Sequence, residues 1–317
     1  MTAGGLRPRG LSSGHTDRDL PSGRADRALL RRHLTSTPQG RRLATGVRLR
    51  LGAGGAGIER LAAELRGERF SPHRHDRYAV GVTRTGVQTF RYRAEQRYCL
   101  PGEWHVLHPD EVHDGAGGTD EGFGYRIFYL DPALVRAALG GGPLPFVADP
   151  VVRPVGVPRV LVDALTHLDE PLDEIESVEA TAAIADLLRA HAAPVRGRRP
   201  TLDLAAVHRV RALLTDEPTI RHRAADLEVV AGLDRWSVAR QFRVAFGTSP
   251  TRYRTLRQLD LARGLIRAGT PLPEAAVRSG FADQAHLTRM FRRAYGLTPA
   301  VWATAVHPLT AAGYSVD

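Results

Sequence analysis

Five of the 13 histidines lie between residues 73 and 113, where they are able to bind a metal ion or a small polar molecule. His73 and His75 occupy alternate positions, and alternate residues of a β-strand point to the same face. His113 is the natural third member, because three imidazoles suffice for many metal sites. No acidic residue lies between Asp76 and Glu95 to complete the ligand set. We therefore assign no metal or cofactor, and we favour an organic-ligand pocket over a metal centre or purely structural histidines.

The strands that carry these histidines must also supply the walls of a pocket. Aromatic and apolar residues at inward strand positions suit a small polar or aromatic molecule, which they bind by stacking and hydrogen bonding. His105 and His108 are instead expected at the surface or in a turn. The residues predicted to bind the ligand are His73, His75, Tyr78, Val80, Tyr92, Trp104 and His113.

A second group of chemically suitable residues recurs near the C-terminus at an offset of 49 residues. Each copy has the pattern of a short helix, a turn and a second helix with outward arginines, followed by Gly and Pro. This order is that of a helix-turn-helix, and its repetition indicates that one supersecondary unit occurs twice. The matching positions are Asp234/Asp283, Arg240/Arg289, Phe242/Phe291, Arg243/Arg292, Ala245/Ala294, Gly247/Gly296 and Pro250/Pro299.

The second helix of each copy has an inner and an outer face. Val238 and Phe242 in one copy, and Leu287 and Phe291 in the other, are four residues apart and are expected to face inward. Outer residues near the N-terminal end of such a helix enter the major groove of DNA, where Arg pairs with guanine and Gln with adenine. Trp236 is either one of these outer residues or part of the core. The residues predicted to contact DNA are Arg235, Trp236, Ala239, Arg240, Gln284, Ala285, His286 and Arg289.

A helical segment joins the two copies. Residues 251–268 place Leu256, Leu259, Ala262 and Ile266 on one face. A helix of this length spans ~27 Å, and successive major grooves on one side of a duplex are ~34 Å apart. The segment is thus about long enough to hold two recognition helices in adjacent grooves.

Charge is unevenly distributed along a chain whose formal net charge is +10. Residues 43–195 contain 16 Arg and 21 acidic residues, whereas residues 202–307 contain 16 Arg and 9 acidic residues. Residues 1–42 contain 9 Arg and 3 acidic residues. A basic half beside an acidic half is typical of a polyanion-binding domain joined to a second domain. A solvated basic surface is the alternative interpretation.

The remaining composition excludes several classes of protein. The single cysteine, Cys99, rules out an intrachain disulfide framework and a Cys-rich zinc site. No run approaches the ~18 apolar residues of a membrane span, and the N-terminus lacks the apolar region of a signal peptide. We expect a soluble, cytoplasmic protein with no membrane partner.

Composition and periodicity divide the chain into four parts. Residues 1–42 are rich in Gly, Ser, Pro and Arg and are expected to be a disordered basic tail. Residues 43–191 begin with many short strands, which indicates a barrel or sandwich, and continue with helices. Residues 192–201 are a Pro- and Arg-containing linker. Residues 202–310 have a helical pattern throughout.

One of the helices that follow the strands has a narrow apolar seam. Ile175, Val178, Ala182 and Ala185 recur at spacings of three, four and three residues. Such a seam suits pairing with the same helix of a second chain. Packing against the chain's own barrel is an equally good interpretation.

Residues 202–307 resemble the DNA-binding domain of the AraC/XylS family of transcription regulators. The resemblance is carried by Arg240–Pro250, Leu256–Arg263 and Gly280–Pro299, which occur in family order. The strand pattern and the histidine motifs of residues 43–130 are similar to a cupin barrel, which commonly binds the ligand in this family. Two departures concern the DNA contacts: Glu228 replaces a usual small residue, and Ala239 and Ala285 are short where longer polar groups often occur.

The resemblance implies an α+β multidomain protein, with a cupin-like N-terminal barrel and an all-α double helix-turn-helix domain. It also implies a bacterial, sequence-specific transcription regulator rather than an enzyme. Its expected partners are promoter DNA and a small-molecule effector, with RNA polymerase and a second copy of the chain as further candidates. A metal-dependent cupin enzyme with a helical appendage is the alternative.

Overall fold

The computed structural model describes residues 46–53, 57–153, 156–193 and 202–306. The predicted tail at residues 1–42, most of the predicted linker and the last residues of the predicted helical domain lie outside the described residues.

The first half of the described chain is built on two antiparallel sheets. One sheet has the strand order β1-β2-β9-β4-β7-β10, and the other has the order β3-β8-β5-β6. Apolar residues of both sheets meet between them, which makes the space between the sheets the interior of the domain. The strands are β1 Gly46–Leu51, β2 Ile58–Arg66, β3 Arg69–His73, β4 Tyr78–Gly86, β5 Gln88–Tyr92, β6 Glu95–Cys99, β7 Trp104–Leu107, β8 His113–Gly117, β9 Phe123–Leu130 and β10 Val151–Val152.

Three helices cover the outer face of the larger sheet: α1 Pro132–Ala138, α2 Arg159–Thr166 and α3 Glu174–His191. Asp131 caps α1, since its side chain accepts from the backbone N–H of Ala133, and Pro132 is the first residue of the helix. Together with outward residues of β4 and β7, the helices form a second apolar cluster. The larger sheet is therefore apolar on both faces.

The predicted seam of α3 is split between core and surface. Ala185 is buried, but Ile175 and Val178 are 69% and 65% exposed, and Ala182 is also exposed. Ile184 and Leu188 make the contact with the domain instead. Three of the four residues of the predicted seam are therefore exposed rather than packed against the chain's own domain.

The second half is helical: α4 Leu204–Asp216, α5 Ala224–Ala231, α6 Arg235–Phe246, α7 Pro250–Arg267, α8 Leu272–Arg278, α9 Gln284–Tyr295 and α10 Pro299–Ala305. The predicted repeat is exact in register, because α6 and α9 begin and end 49 residues apart. Both begin at an Asp N-cap, Asp234 or Asp283, and both end at a left-handed glycine, Gly247 or Gly296.

The inner faces of these helices largely agree with prediction. Val238, Phe242, Leu287 and Phe291 are buried, as are the four apolar residues predicted on α7. On α8 the buried residues are Ala275 and Ala276, whereas the neighbouring Val277 is 65% exposed. No helix among the described residues combines the length and apolarity needed to cross a bilayer.

The two halves share one apolar core. The cluster between the sheets continues without interruption into the buried residues of α7, α8, α9 and α10. Val306, at the end of α10, also forms a parallel bridge with Leu49 of β1. The second helix-turn-helix unit is thus packed directly against the open side of the strand domain.

Candidate functional site

The outer face of α6 is open to solvent. Arg235, Trp236, Ala239 and Arg240 are all exposed, and Trp236 at 74% is not a core residue. Glu228 of α5 occupies the guanidinium of Arg235, since it accepts from Nε at 3.1 Å and from Nη2 at 3.0 Å. It also accepts from the backbone N–H of Arg235 at 2.8 Å. Arg235 is therefore neutralised by its neighbour, whereas Arg240 donates to Ser237 Oγ at 3.3 Å and has no carboxylate partner among the described residues.

The outer face of α9 is open in the same way. Gln284, Ala285 and Arg289 are exposed, and His286 is half-buried because its ring packs edge-on against Phe281 at 5.3 Å. The Asp283 carboxylate accepts from the backbone N–H of His286 and so fixes the start of the helix. The residues predicted to contact DNA thus lie on two equivalent, accessible helix faces.

A cavity of about 90 Å³ lies between the two sheets and the second helix-turn-helix unit. Its strand walls include His73, His75, His105 and His113, together with apolar residues of β1, β2 and β9. The helical half supplies the remaining wall, which we call the roof: Leu256, Arg257, Asp260, Arg263, Ala294, Tyr295, Leu297 and Trp302. The cavity therefore belongs to both halves of the chain.

His73, His75 and His113, the histidine cluster, meet in this cavity. Their ring centroids are 4.3 Å apart for His73 and His113, and 4.9 Å apart for His75 and His113. Each Nδ1 donates to a backbone carbonyl two residues away, at Ser71, Arg77 or Glu111, over 2.8 to 3.0 Å. Each Nε2 is therefore left with its lone pair.

Burial keeps these imidazoles neutral. Loss of hydration lowers the pKa of His73 to about 4 and the pKa of His75 to about 3, and it lowers the pKa of His113 well below 6.5. The cluster consequently acts as a set of hydrogen-bond acceptors at neutral pH.

Four other residues predicted to bind the ligand do not line the cavity. Tyr78, Val80 and Trp104 belong to the outer cluster beneath the helices, and Tyr78 donates its hydroxyl hydrogen to Pro145 O at 2.8 Å. The opposite strand positions face inward, as His105 shows. Tyr92 is buried in the interior core but lies away from the cavity. The predicted strand faces were wrong for the first three residues.

His105 and His108 are buried, which corrects the expectation that they lie at the surface. His105 lines the cavity, and both its ring nitrogens are buried without a partner among the described residues. Gly81 makes room for it, because a Cβ at Gly81 would lie 2.7 Å from His105 Cε1. His108 lies on the outer side, where its Nε2 accepts from the backbone N–H of Val147 at 3.0 Å.

Ion pairs connect the strand domain to the roof. Arg263 donates to Glu59 at 2.7 Å, and Arg257 donates to Asp76 at 2.9 Å. Although burial alone would raise it, the pKa of Glu59 is lowered to about 2 by Arg263 and Arg77. These pairs hold the roof over the cavity, and no periodic pattern in the sequence indicated them.

The strand domain also forms hydrogen bonds with the C-terminal ends of both recognition helices, α6 and α9. Arg136 of α1 donates to the carbonyls of Val244 and Ala245, at the end of α6, over 2.6 and 3.3 Å. At the end of α9, the Ser71 N–H donates to Gly296 O over 2.9 Å. A Cβ at Gly296 would lie within 2.9 Å of three atoms of β3, which shows how closely the helix end abuts the strand.

The histidine cluster does not fit a metal ion. No three His, Cys, Asp or Glu side chains in the described parts of the chain are arranged as metal ligands. After the His pair and Asp76, the sequence contains no further carboxylate before Glu95.

Comparison with known families identifies both halves. Residues 55–189 match the AraC-like ligand binding domain, and residues 229–305 match a helix-turn-helix domain. A ligand-binding domain joined to a helix-turn-helix domain defines a transcription regulator. The chain belongs to the AraC family of these regulators.

Two curated relatives are also described as regulators. The uncharacterized HTH-type transcriptional regulator YbfI of Bacillus subtilis is 24% identical over 225 residues, which cover 69% of this chain and 82% of that protein. The probable transcriptional regulator LumQ of Photobacterium leiognathi is 32% identical over 99 residues, covering 29% of this chain and 40% of that protein.

The fold is similar to that of ToxT from Vibrio cholerae. One ToxT structure covers 78% of this chain and 98% of its own, with a TM-score of 0.58 and 11% sequence identity. Another, bound to an unsaturated fatty acid, covers 84% and 98% with a TM-score of 0.55 and 12% identity. At these identities the likeness concerns the fold alone.

Proposed function

We propose that this regulator binds specific promoter sequences through the outer faces of α6 and α9, under the control of an effector in the cavity beneath the roof. The observation that carries the proposal is the position of the cavity. Its walls come from the strand domain and from the second helix-turn-helix unit, so a molecule inside touches both. The base-contacting residues proposed are the eight predicted from sequence, with Arg235 contributing least because Glu228 holds it.

The coupling follows from differential binding. An effector shifts the balance between two arrangements only if it binds one more tightly than the other. Here the end of α9 lies on the cavity wall, because the Cβ position of Gly296 is 2.8 Å from Nδ1 of His73. An effector that requires more space than the present cavity displaces this helix end, and one that fits holds it in place.

The DNA half of the proposal is tested with a fragment recovered by mapping the protein on its own chromosome. Arg240→Ala and Arg289→Ala should each weaken binding to this fragment by ~1–3 kcal/mol and relax base preference at one position. Arg159→Ala is the matched control, since Arg159 is exposed on α2 in the other half. Equal losses for all three variants, or equal losses on random DNA, would refute base recognition.

The effector half is tested by comparing compounds of different charge. ToxT holds organic acids in two structures, an unsaturated fatty acid and a naphthalenyl butenoic acid. Binding of organic acids to this chain should therefore be measured beside binding of neutral and cationic compounds.

A second copy of the chain is a proposed partner through α3. Ile175, Val178 and Ala182 form an exposed stripe on this helix, and such a stripe suits pairing of two helices. Val178→Glu should convert a dimer to a monomer in analytical ultracentrifugation, whereas Val162→Glu on α2 should not. RNA polymerase is a further proposed partner, which transcription in vitro with purified components tests.

We further propose that the chain is not an enzyme. The metal-dependent alternative requires a ligand set that the described residues do not provide. Stoichiometric iron or manganese in the purified protein would revive it.

A further inference from the structure

The histidine cluster gives the cavity a set of acceptor nitrogens, and at least one of them has no donor among the described residues. Each Nδ1 of the histidine cluster is committed to a backbone carbonyl, which fixes the hydrogen on that nitrogen. Nε2 of His75 is buried without a partner among the described residues. A buried acceptor without a donor costs free energy, so the cavity favours a molecule that supplies one.

The charged groups around the cavity are already paired. The three arginines of the wall each have a carboxylate partner: Arg263 with Glu59 at 2.7 Å, Arg257 with Asp76 at 2.9 Å and Arg77 with Glu59 at 3.2 Å. Asp260 is a third carboxylate that adds to these pairs, at 3.2 Å from Arg257. Asp114 adds one more carboxylate to the lining. The wall therefore offers no surplus positive charge to an anion.

The rest of the wall is mostly apolar, although five neutral polar residues also line it: Gln88, His105, Tyr125, Tyr129 and Tyr295. Leu61, Leu107 and Ile127 come from the sheets, and Leu256, Leu297 and Trp302 come from the roof. A volume of about 90 Å³ is below the ~300 Å³ of sites for drug-sized ligands. The present cavity thus suits a compact molecule with one polar end.

We propose that the effector is a small, compact molecule without negative charge, whose hydroxyl or amino group donates to Nε2 atoms of the histidine cluster while its apolar body contacts the roof. This inference rests on the proposed function for the role of the cavity, but it concerns only the class of ligand. The inference distinguishes this chain from a regulator that recognises acids, because a carboxylate would meet the lone pairs of three neutral imidazoles, and every arginine among the described lining residues is already paired.

The experiment uses the full-length chain and three probes with one carbon skeleton: isobutanol, isobutylamine and isobutyrate. Protein labelled with ¹⁵N in histidine reports directly on the cluster, since the Nε2 resonance of a neutral imidazole shifts when the nitrogen accepts a hydrogen bond. Isobutanol and isobutylamine should shift the Nε2 resonances of the cluster and saturate. Isobutyrate should bind at least ~10-fold more weakly, because burying an unpaired carboxylate is costly.

His113→Phe keeps a ring in place but removes one acceptor, and it should weaken isobutanol binding by up to ~10-fold. His167→Phe is the control, because His167 is exposed and lies outside the cavity. The wild-type resonance shifts remain decisive if the His113 variant fails to fold.

Several results would overturn the inference: tighter binding of isobutyrate, absence of binding by all three probes, or a stoichiometric metal bound to the cluster. DNA binding measured on the same protein keeps the two proposals separate. If the protein does not bind DNA, the proposed function is wrong, but the inference about the ligand class is unaffected. If the protein binds isobutyrate and neither of the other probes, the inference about the ligand class is wrong, but the proposed function is unaffected.

Discussion

Replacement of Gly296 by alanine is a direct test of the contact between the two halves. Gly296 has φ +72°, and its Cβ would lie 2.8 Å from His73 Nδ1 and 2.9 Å from both Phe70 Cβ and Ser71 O. Two of these atoms belong to the backbone or lie next to it and cannot rotate away. The variant therefore folds only if the end of α9 moves away from β3.

Gly232 provides a matched control. It also ends a recognition-unit helix in the left-handed region, with φ +67°, but among the described residues nothing lies within 4 Å of its Cβ position. Gly232→Ala should cost the ~1–2 kcal/mol of a left-handed alanine. Gly296→Ala should cost a further ~1–3 kcal/mol from overpacking. Effects on the unfolded chain are the same in both variants and cancel.

Urea unfolding measures the two free energies, and amide hydrogen exchange identifies the contact that is lost. The Ser71 N–H donates to Gly296 O, so its protection should fall in Gly296→Ala and persist in Gly232→Ala. Equal loss of stability in the two variants, with the Ser71 amide still protected in both, would show that the halves do not form this contact in solution.

Three further predictions concern single side chains. Glu228→Ala should release Arg235, strengthen binding to random-sequence DNA and steepen the logarithmic salt dependence by about 1, as measured by fluorescence anisotropy. Arg136→Ala should lower the free energy of unfolding in urea by ~3 kcal/mol, because charged hydrogen bonds to the end of α6 are lost, whereas Arg159→Ala should have little effect. The pKa of His73 is lowered from 6.5 to about 4 in the folded chain, so the unfolded chain binds its proton first and stability falls as the pH drops from 6.5 towards 4. The loss is ~1.4 kcal/mol per pH unit for each such imidazole, and thermal unfolding across this window measures it; unchanged stability would mean that the cavity histidines are hydrated.

The helix-turn-helix units were predictable because their signals are local. Asp234 and Asp283 cap the recognition helices at their N-termini, and a glycine in the left-handed conformation ends each helix. The residues at the helix ends therefore predict the helix boundaries. The inner positions follow from helical spacing, except on α8. There Ala275, Ala276 and Val277 are all apolar, and the period alone did not choose between them.

The inward and outward faces of the strands in the two sheets were not predictable in the same way. The larger sheet is covered by helices outside and by the cavity inside, so β4 is apolar on both faces and lacks the alternation that identifies an inner face. Gly81 was the available signal, because a glycine within a strand often marks a close approach. It places the inward face at Ala79 and Gly81, and therefore the outward face at Tyr78 and Val80.

The ion pairs between the roof and the strand domain could not be predicted for a different reason. Glu59 and Arg263 are 204 residues apart in sequence, and no periodic pattern relates residues in two separate domains. The charge map did contain a trace of this contact. An acidic half and a basic half complement one another, whereas the sequence interpretation assigned the basic excess to DNA binding or to a solvated surface.

Pairing across the halves changes how the protein approaches a polyanion. Four arginines of the helical half, Arg211, Arg252, Arg257 and Arg263, have carboxylate partners in the strand domain. The net charge of +7 in residues 202–307 is thereby offset by four carboxylates, which leaves about +3. Opening the interface would restore the full positive field, and diffusional capture by nucleic acid accelerates with that field. The effector would then govern the speed of the search for a promoter as well as the strength of the final complex.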